Sequence, residues 1–430
     1  MKKLVYCDET TDIVGPGIEM IDTLAVGGKF IVRTNPGCWG NMITPGIRSW
    51  HEVGRPVAIE GAEVGDAVAI KIDKINVLSR ATSSGTDEAQ GEFFKSDPGI
   101  DSFCPNCGTE NPDTYIKGTG EEAVKCKNCD SPVIPFTMPH GYTMYFDNTR
   151  EFGITVDENI SQEIAEKADK YSNLTSAGMQ HSINIFAKHD MPGVPARVIP
   201  MIGNIGTVPA MDMPSSHNAG DFAQFLLGAD HEFACSKEDL NNRSDAHMDV
   251  NEVREGAIVI APVKVKEAGV YIGDVHAMQG DGEIAGHTTD ISAEVEITID
   301  LIKNLNNLGP IILPNPEDLT PLTKPYTEEE NKKIKETAQS IGLSSVEEEM
   351  YPIQMIGSGA DLNSAAADGV EKLSKLLNYS LDEIKNRVTV NGDVSIGRAP
   401  GVVNITILTP LSKLKDINLA EIVKEHYTQK

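Results

Sequence analysis

The chain has 430 residues, enough for two or three domains with substantial cores, and carries 37 Lys and Arg against 64 Asp and Glu, a net charge of −27. A nucleic-acid partner normally needs a basic face to displace counterions from phosphates, so this balance argues against one. No run of eighteen apolar residues is present to cross a membrane, and the opening Met1-Lys-Lys-Leu-Val-Tyr-Cys-Asp-Glu9 is too short for a signal-peptide core, so a cytoplasmic protein is expected.

The first hundred residues read as β-rich. In Asp66-Ala-Val-Ala-Ile-Lys-Ile-Asp73 the alternation puts Val68, Ile70 and Ile72 on one face, the period-two mark of a half-buried strand, and Gly61, Gly65 and Asp66 supply the turn before it. Residues 79–91 read as a loop. Then come two identical steps, Cys104-Pro-Asn-Cys107 and Cys126-Lys-Asn-Cys129, with eighteen residues between the inner cysteines. Each CxxC turn aims two sulfurs at one point, and two such turns complete a tetrahedron, so the four thiolates predict a structural zinc ribbon. Four thiolates saturate zinc, leaving no position for a substrate. Seven cysteines, an odd count, argue against a disulfide framework; Cys7, Cys38 and Cys235 read as free thiols. The ribbon insert, with Glu110, Asp113, Glu121 and Glu122 against Lys117, Lys125 and Lys127, is slightly acidic and lacks the Arg and aromatics of a nucleic-acid finger.

Strand-like text resumes after Pro135. Ala257-Ile-Val-Ile-Ala-Pro-Val-Lys-Val predicts a strand in which Pro262 implies an edge or a bulge. Glu294 to Leu301 alternates with Val295, Ile297, Ile299 and Leu301 inward, and residues 221–245 read as an irregular excursion or lid. Helices concentrate after residue 310. Glu328 to Ser340 is a charged, solvated helix; Ala366, Val370, Leu373 and Leu377 form a helical stripe; Ser380 and Glu383 predict a capping box. Val402 to Leu408 is a closing strand. The pattern predicts an α+β, predominantly β protein, an antiparallel β-sandwich with C-terminal helices and an inserted ribbon. Its parts are residues 1–98 (β-rich), 99–134 (ribbon), 135–310 (central, catalytic) and 311–430 (α/β).

Two polar segments could carry chemistry. Gly273-Asp-Val-His-Ala-Met-Gln-Gly-Asp-Gly-Glu283 holds Asp274, His276, Asp281 and Glu283 within ten residues, and its glycines predict a tight hairpin aiming them at one point. Ser216-His-Asn-Ala-Gly-Asp221 and Ser244-Asp-Ala-His-Met-Asp249 each end in an aspartate shortly after a histidine, a donor set that divalent metals accept. Either segment could equally be an ordinary polar loop. His51, His181 and His189 are isolated and read as structural. HExxH, G-x-S-x-G and P-loop motifs are absent.

Five phrases carry a resemblance. Val57-Ala-Ile-Glu-Gly-Ala-Glu-Val-Gly-Asp66, Pro200-Met-Ile-Gly-Asn-Ile-Gly-Thr-Val-Pro209, His247-Met-Asp249, Gly273 to Glu283 and Asp393-Val-Ser-Ile-Gly-Arg-Ala-Pro-Gly-Val-Val403 stand in the order found in the acetamidase/formamidase family, which the chain outside the ribbon resembles. It departs where the family usually has Gly-Gly-Asn-Met-Asp: here Asp245-Ala-His-Met-Asp249 puts His247 in place of an asparagine. The resemblance implies a metal-dependent hydrolase that cleaves the C–N bond of a small amide, formamide or acetamide in kind, to a carboxylic acid and ammonia. It implies Asp249 and His276 as ligands of a second divalent metal, expected to be zinc, with His217 or His247 as a third. Glu283 is the expected general base, exchangeable with Asp281. A homodimer or higher homo-oligomer is expected. Lactam or other C–N hydrolysis, a lyase step on the same fold, or a non-catalytic ribbon-bearing assembly protein are the rival readings.

Overall fold

The computed structural model describes residues 3–347 and 349–428; Met1 and Lys2 of the amino-terminal reading lie outside them. Its frame is a nine-stranded sheet whose strands lie side by side in the order Leu4–Cys7, Lys29–Thr34, Ala293–Ile302, Ala67–Val77, Ile258–Pro262, Ile311–Leu313, Met350–Ser358, Val402–Pro410 and Gly392–Arg398. Only the first pair is parallel; the others are antiparallel. Because strand side chains alternate, each strand serves two cores. Val68, Ile70, Ile72, Val259 and Val295 face a second sheet built on Met201–Thr207 and Val270–His276, packing on Ile202, Ile205 and Ile272. Ala67, Ala69, Ile258, Ile260, Ile353 and Ile405 face the other way, onto C-terminal helices Leu362–Leu377, Leu381–Asn391 and Ala420–Thr428. The result is a mostly β, α+β architecture with a two-sheet core, as the alternation predicts.

Most predicted elements appear where the pattern puts them. The strand Ala293–Ile302 alternates buried and half-buried positions, and helix Glu328–Ser340 is capped by Thr327 and Glu330 and lies largely in solvent. Leu373 and Leu377 are buried, while Ala366 and Val370 flank the still deeper Ala365 and Gly369. Ser380 caps the next helix by accepting from the Glu383 amide. Three expectations are corrected. Residues 79–91 are not a loop but hold the strand Ala81–Ala89, whose low hydrophobicity hides it because its buried positions are small hydroxyl residues: Thr82 donates to the Asp290 carbonyl at 2.6 Å and Ser83 meets Thr143 at 2.8 Å. Pro262 belongs to an interior strand: it is the last residue, opposite Ala67, and its neighbour on the other side, Ile311–Leu313, pairs only with residues 258–260, so no partner asks for the missing N–H. Residues 273–283 form no tight hairpin. Gly273 to His276 complete a fully buried strand, and the chain beyond them forms a loop.

The ribbon leaves the sheet at the end of a hairpin. Strands Ala81–Ala89 and Phe136–Phe146 pair, with Phe136 opposite Ala89, and the two short strands Thr114–Ile116 and Val124–Cys126 sit between them in sequence. Val124, Cys104 and Cys126 share one apolar cluster with Cys38, Trp39, Met42 and Phe136. The insert is thereby welded to the loop at residues 38–43.

Candidate metal centre and active site

The four ribbon sulfurs lie within 4.8 Å of one another, with Cys104–Cys129 at 3.5 Å and Cys107–Cys126 at 3.8 Å. A tetrahedron of ~2.3 Å metal–sulfur bonds has edges of about 3.8 Å, whereas a disulfide is far shorter. The four cysteines could therefore hold a metal ion. Replacing Cys107 by Ser is expected to remove one metal equivalent and unfold residues near 100–132, checked by metal analysis and hydrogen exchange. Since the same cluster contains Trp39, reduced protection should extend to residues 38–43. Unchanged metal stoichiometry would dismiss the assignment.

The second centre lies where the two sheets meet. Strand Met201–Thr207 accepts, at the Gly203 carbonyl, the amides of Met248 (2.8 Å) and Asp249 (3.1 Å), which hangs the His247–Asp249 segment beside Asp274 of strand Val270–His276. On the far side of that strand Val53 pairs with Gly273, which brings in His51. The carboxylates need room that only glycine leaves. A Cβ on Gly203 would stand 2.2 Å from Asp249 Oδ1 and 2.7 Å from Asp274 Oδ2, and one on Gly37 would overlap Asp274 Oδ1. Cys38, Asp249, Asp274 and Glu283 all sit at positive φ, between 32° and 55°. Such backbone is costly for residues with a Cβ, and it gathers where function requires a fixed geometry.

Asp274 is the hub. Its Oδ2 lies 3.2 Å from His247 Nε2 and 3.7 Å from His51 Nε2, and its Oδ1 lies 3.1 Å from His276 Nε2. His247 Nε2 is also 3.2 Å from Asp249 Oδ2, and His276 Nε2 is 3.3 Å from Asp290 Oδ1. The tautomers follow from the outer partners. His247 Nδ1 donates to the Ser216 carbonyl at 2.7 Å. Gln279 donates its amide NH2 to the carbonyls of Asp249 and Gly397, so its Oε1 is the acceptor for His276 Nδ1 at 2.8 Å. Both rings thus present Nε2 to carboxylate oxygens, the arrangement in which a second hydrogen bond orients an imidazole towards a cation.

All these residues are buried, and many of their polar atoms have no hydrogen-bond partner: His51 and His247 Nε2, Asp249 Oδ1, Asp274 Oδ2, Glu283 Oε2 and both oxygens of Asp290. Acceptors gathered in one dry place suit a cation, which could meet them. Without one, protons must serve. Burial works against charge on His247, but the carboxylates of Asp249 and Asp274 beside it raise it to about 9; burial likewise opposes His276, which Asp274 and Asp290 hold well above the ordinary imidazole value. Burial lowers His51 to about 4. Burial, then the Asp249 charge, push Glu283 well above the usual carboxylate range. Two donor groups sit within 4.8 Å: His51, His247 and Asp274, and Cys38, Asp274, His276 and Asp290. Either could hold a metal ion.

Arg398 braces the centre. Its guanidinium meets both oxygens of Asp221 (2.9 and 2.7 Å) and reaches Asp249 Oδ2, with the Phe222 ring 4.5 Å from its centre. Phe222 in turn stacks on His247 at 5.4 Å and on Trp50 at 5.5 Å. The 221–245 excursion thus closes over the imidazoles.

Of the residues expected from sequence, Asp249, His247, His276 and Glu283 come together. His217 stands one layer out: its Nε2 is 2.8 Å from Asp97 Oδ2, its Nδ1 3.1 Å from Ser216 Oγ. Asp281 points to the surface, where Asn251 donates to it at 2.6 Å, away from the buried carboxylates. Sequence reasoning assigned no role to Cys38, Asp290 or Arg398 and set His51 aside as structural. Arg398 was within reach, standing in the last of the five phrases. Nothing local marks Asp290 or Cys38, which only the tertiary fold brings to Asp274.

The family to which the chain belongs supplies the class, an amidase acting on carbon–nitrogen bonds other than peptide bonds, and the buried set of carboxylates and imidazoles is its candidate site. The model of the Acetamidase/Formamidase family matches residues 17–413, and the chain belongs to that family. The fold agrees with solved structures: a protein of Thermoanaerobacter tengcongensis described as a predicted acetamidase/formamidase (TM-score 0.55, 16% identity, 97% of this chain and 99% of that one), an acetamidase from Bacillus halodurans (0.53, 15%, 96% and 99%) and an acetamidase from Yersinia enterocolitica (0.52, 16%, 95% and 92%). Comparison with curated proteins gave no match. Among the described residues no helix is long and apolar enough to cross a membrane.

Proposed function

We propose that the protein hydrolyses a small linear amide, of the formamide or acetamide kind, to the carboxylic acid and ammonia, using a divalent ion, zinc, seated at Asp274. The observation that carries this reading is the convergence of imidazole Nε2 atoms and unpartnered carboxylate oxygens on that one side chain. The donor set fits such an ion, mixing neutral nitrogen with carboxylate oxygen. When bound, it would supply Lewis acidity towards the amide carbonyl and lower the pKa of water towards ~7.

The chain's own residues do the rest. Amide nitrogen is a poor leaving group until protonated, so the reaction needs a carrier that takes a proton from the attacking water and gives it to nitrogen as the C–N bond breaks. Glu283 suits that role, because its Oε2 has no partner and its burial favours the proton-holding form. Arg398 fixes Asp249, and Gln279 fixes the His276 ring. Phe222 and Trp50 exclude water from above. Residues 99–134 are, in this reading, a zinc-ribbon insertion whose ion is structural.

Chelator-stripped protein should show no turnover of formamide or acetamide, and re-added zinc should restore it, read as ammonia release. If no small linear amide is hydrolysed with zinc or any other divalent ion, the proposal falls.

A further inference from the structure

Cys38 has no part in the mechanism above, yet its sulfur lies in the centre. Sγ is 3.8 Å from Asp274 Oδ1 and 3.9 Å from Glu283 Oε1, and it falls within 4.8 Å of the donor atoms of His276 and Asp290. A buried thiol needs only one weak acceptor. This one faces three carboxylates, both oxygens of Asp290 being unpartnered although that residue is fully buried. The backbone is bent to put it there: Cys38 takes φ 32°, and the preceding Gly37 lets Asp274 pass where a side chain would collide. His276 completes the set with an Nε2 that lies 3.1 Å from Asp274 Oδ1, its ring oriented by Gln279 through Nδ1. Sulfur, imidazole nitrogen and two carboxylates make a four-donor shell on one side of Asp274.

We propose that Cys38 is a thiolate ligand of the ion seated at Asp274, together with His276 and Asp290. The assignment rests on the metal-dependent reading above and specifies its donors. On binding, a metal–sulfur bond forms and the S–H bond breaks, its proton passing to solvent. A soft thiolate among hard oxygens tilts the site towards zinc and away from magnesium, calcium or manganese. The welding of Cys38 and Trp39 into the ribbon's apolar cluster then gives the ribbon a second effect, since it holds this ligand in place.

Cadmium-113 NMR of the full chain loaded with cadmium tests it, because the shift moves downfield with each coordinated sulfur. The wild type should give two resonances, a far-downfield one from the four-thiolate ribbon and one at the intermediate position of a single thiolate. In Cys38→Ser the ribbon resonance should stay, reporting an intact fold, while the second moves far upfield into the range of oxygen and nitrogen donors. In Asp290→Asn the second resonance should shift but remain in the one-thiolate range. A wild-type second resonance already in the oxygen–nitrogen range, or one unmoved by Cys38→Ser, overturns the assignment. Should Cys38→Ser fail to fold, the wild-type position alone decides. Acetamide turnover is measured in parallel on the zinc-loaded wild type. Turnover without the thiolate signature sinks Cys38 and leaves the amidase; the signature without turnover does the reverse.

Discussion

Arg398→Met is expected to cost about 3–5 kcal/mol of stability and to abolish amide turnover, the loss typical of breaking a buried ion pair. The reason is the environment rather than the count of bonds. Arg398, Asp221 and Asp249 are all buried, and the guanidinium touches both carboxylates. Burial opposes charge on Asp221, but Arg398 more than offsets it and keeps that carboxyl below the usual range; for Asp249, His247 and then Arg398 do the same. Methionine fills much of the volume but leaves Asp221 without its cation and Asp249 with His247 alone in a dry interior, where an uncompensated charge is strongly destabilising. Arg398→Lys should fall between, because an ammonium cannot span both oxygens of Asp221 and Asp249 together. Adding Asp221→Asn to Arg398→Met should recover part of the stability and none of the activity, since Asp249 still lacks its brace. Thermal unfolding of the four proteins reads the series. A melting temperature for Arg398→Met equal to that of the wild type would show that the ion pairs do not hold the centre.

The fold was legible where side-chain type alternates along a strand. The strand at 67–77 and the strand at 293–302 each show alternation, and alternation survives in sequence whatever the strand's neighbours are. The same logic failed at Pro262, where local chemistry says edge but the register of a short neighbouring strand supplies an interior place. The four-cysteine cluster was legible because each CxxC turn is a local object and only two had to meet. The candidate site was half legible. His247, Asp249, His276 and Glu283 stand in dense polar segments, and five phrases in family order pointed at them. Asp281, two residues from Glu283, looks equivalent as text. Yet the chain turns through Gly282 at φ 85° between them, so one side chain goes inward and the other to the surface. Cys38, His51 and Asp290 come from three distant stretches, and only the pairing of Val53 with Gly273 and the return of the chain after His276 bring them to Asp274. No spacing rule reports such a meeting.

Glu283→Gln and His276→Ala separate a proton carrier from a ligand. Glutamine keeps the shape of Glu283 and loses the ability to accept a proton. The glutamate touches Cys38 at 3.9 Å and feels the charges of Asp249, His276, Asp274 and Arg398, yet it makes no direct ion pair with any arginine or lysine, so glutamine in its place breaks none. Folding and metal content should therefore stay at the wild-type level, while turnover of formamide or acetamide drops by roughly 10²–10⁴-fold, the usual contribution of general acid–base catalysis. His276→Ala takes away an imidazole that meets Asp274 and Asp290 and that Gln279 orients, so it should lose both the second metal equivalent and activity, with the ribbon metal retained. Metal analysis beside steady-state kinetics distinguishes the two patterns. If Glu283→Gln turned over amides at the wild-type rate, the proton would have to travel by another group. The buried Asp290 would then be the next candidate, because burial raises its carboxyl above the ordinary value, whereas Asp281 lies at the surface against Asn251.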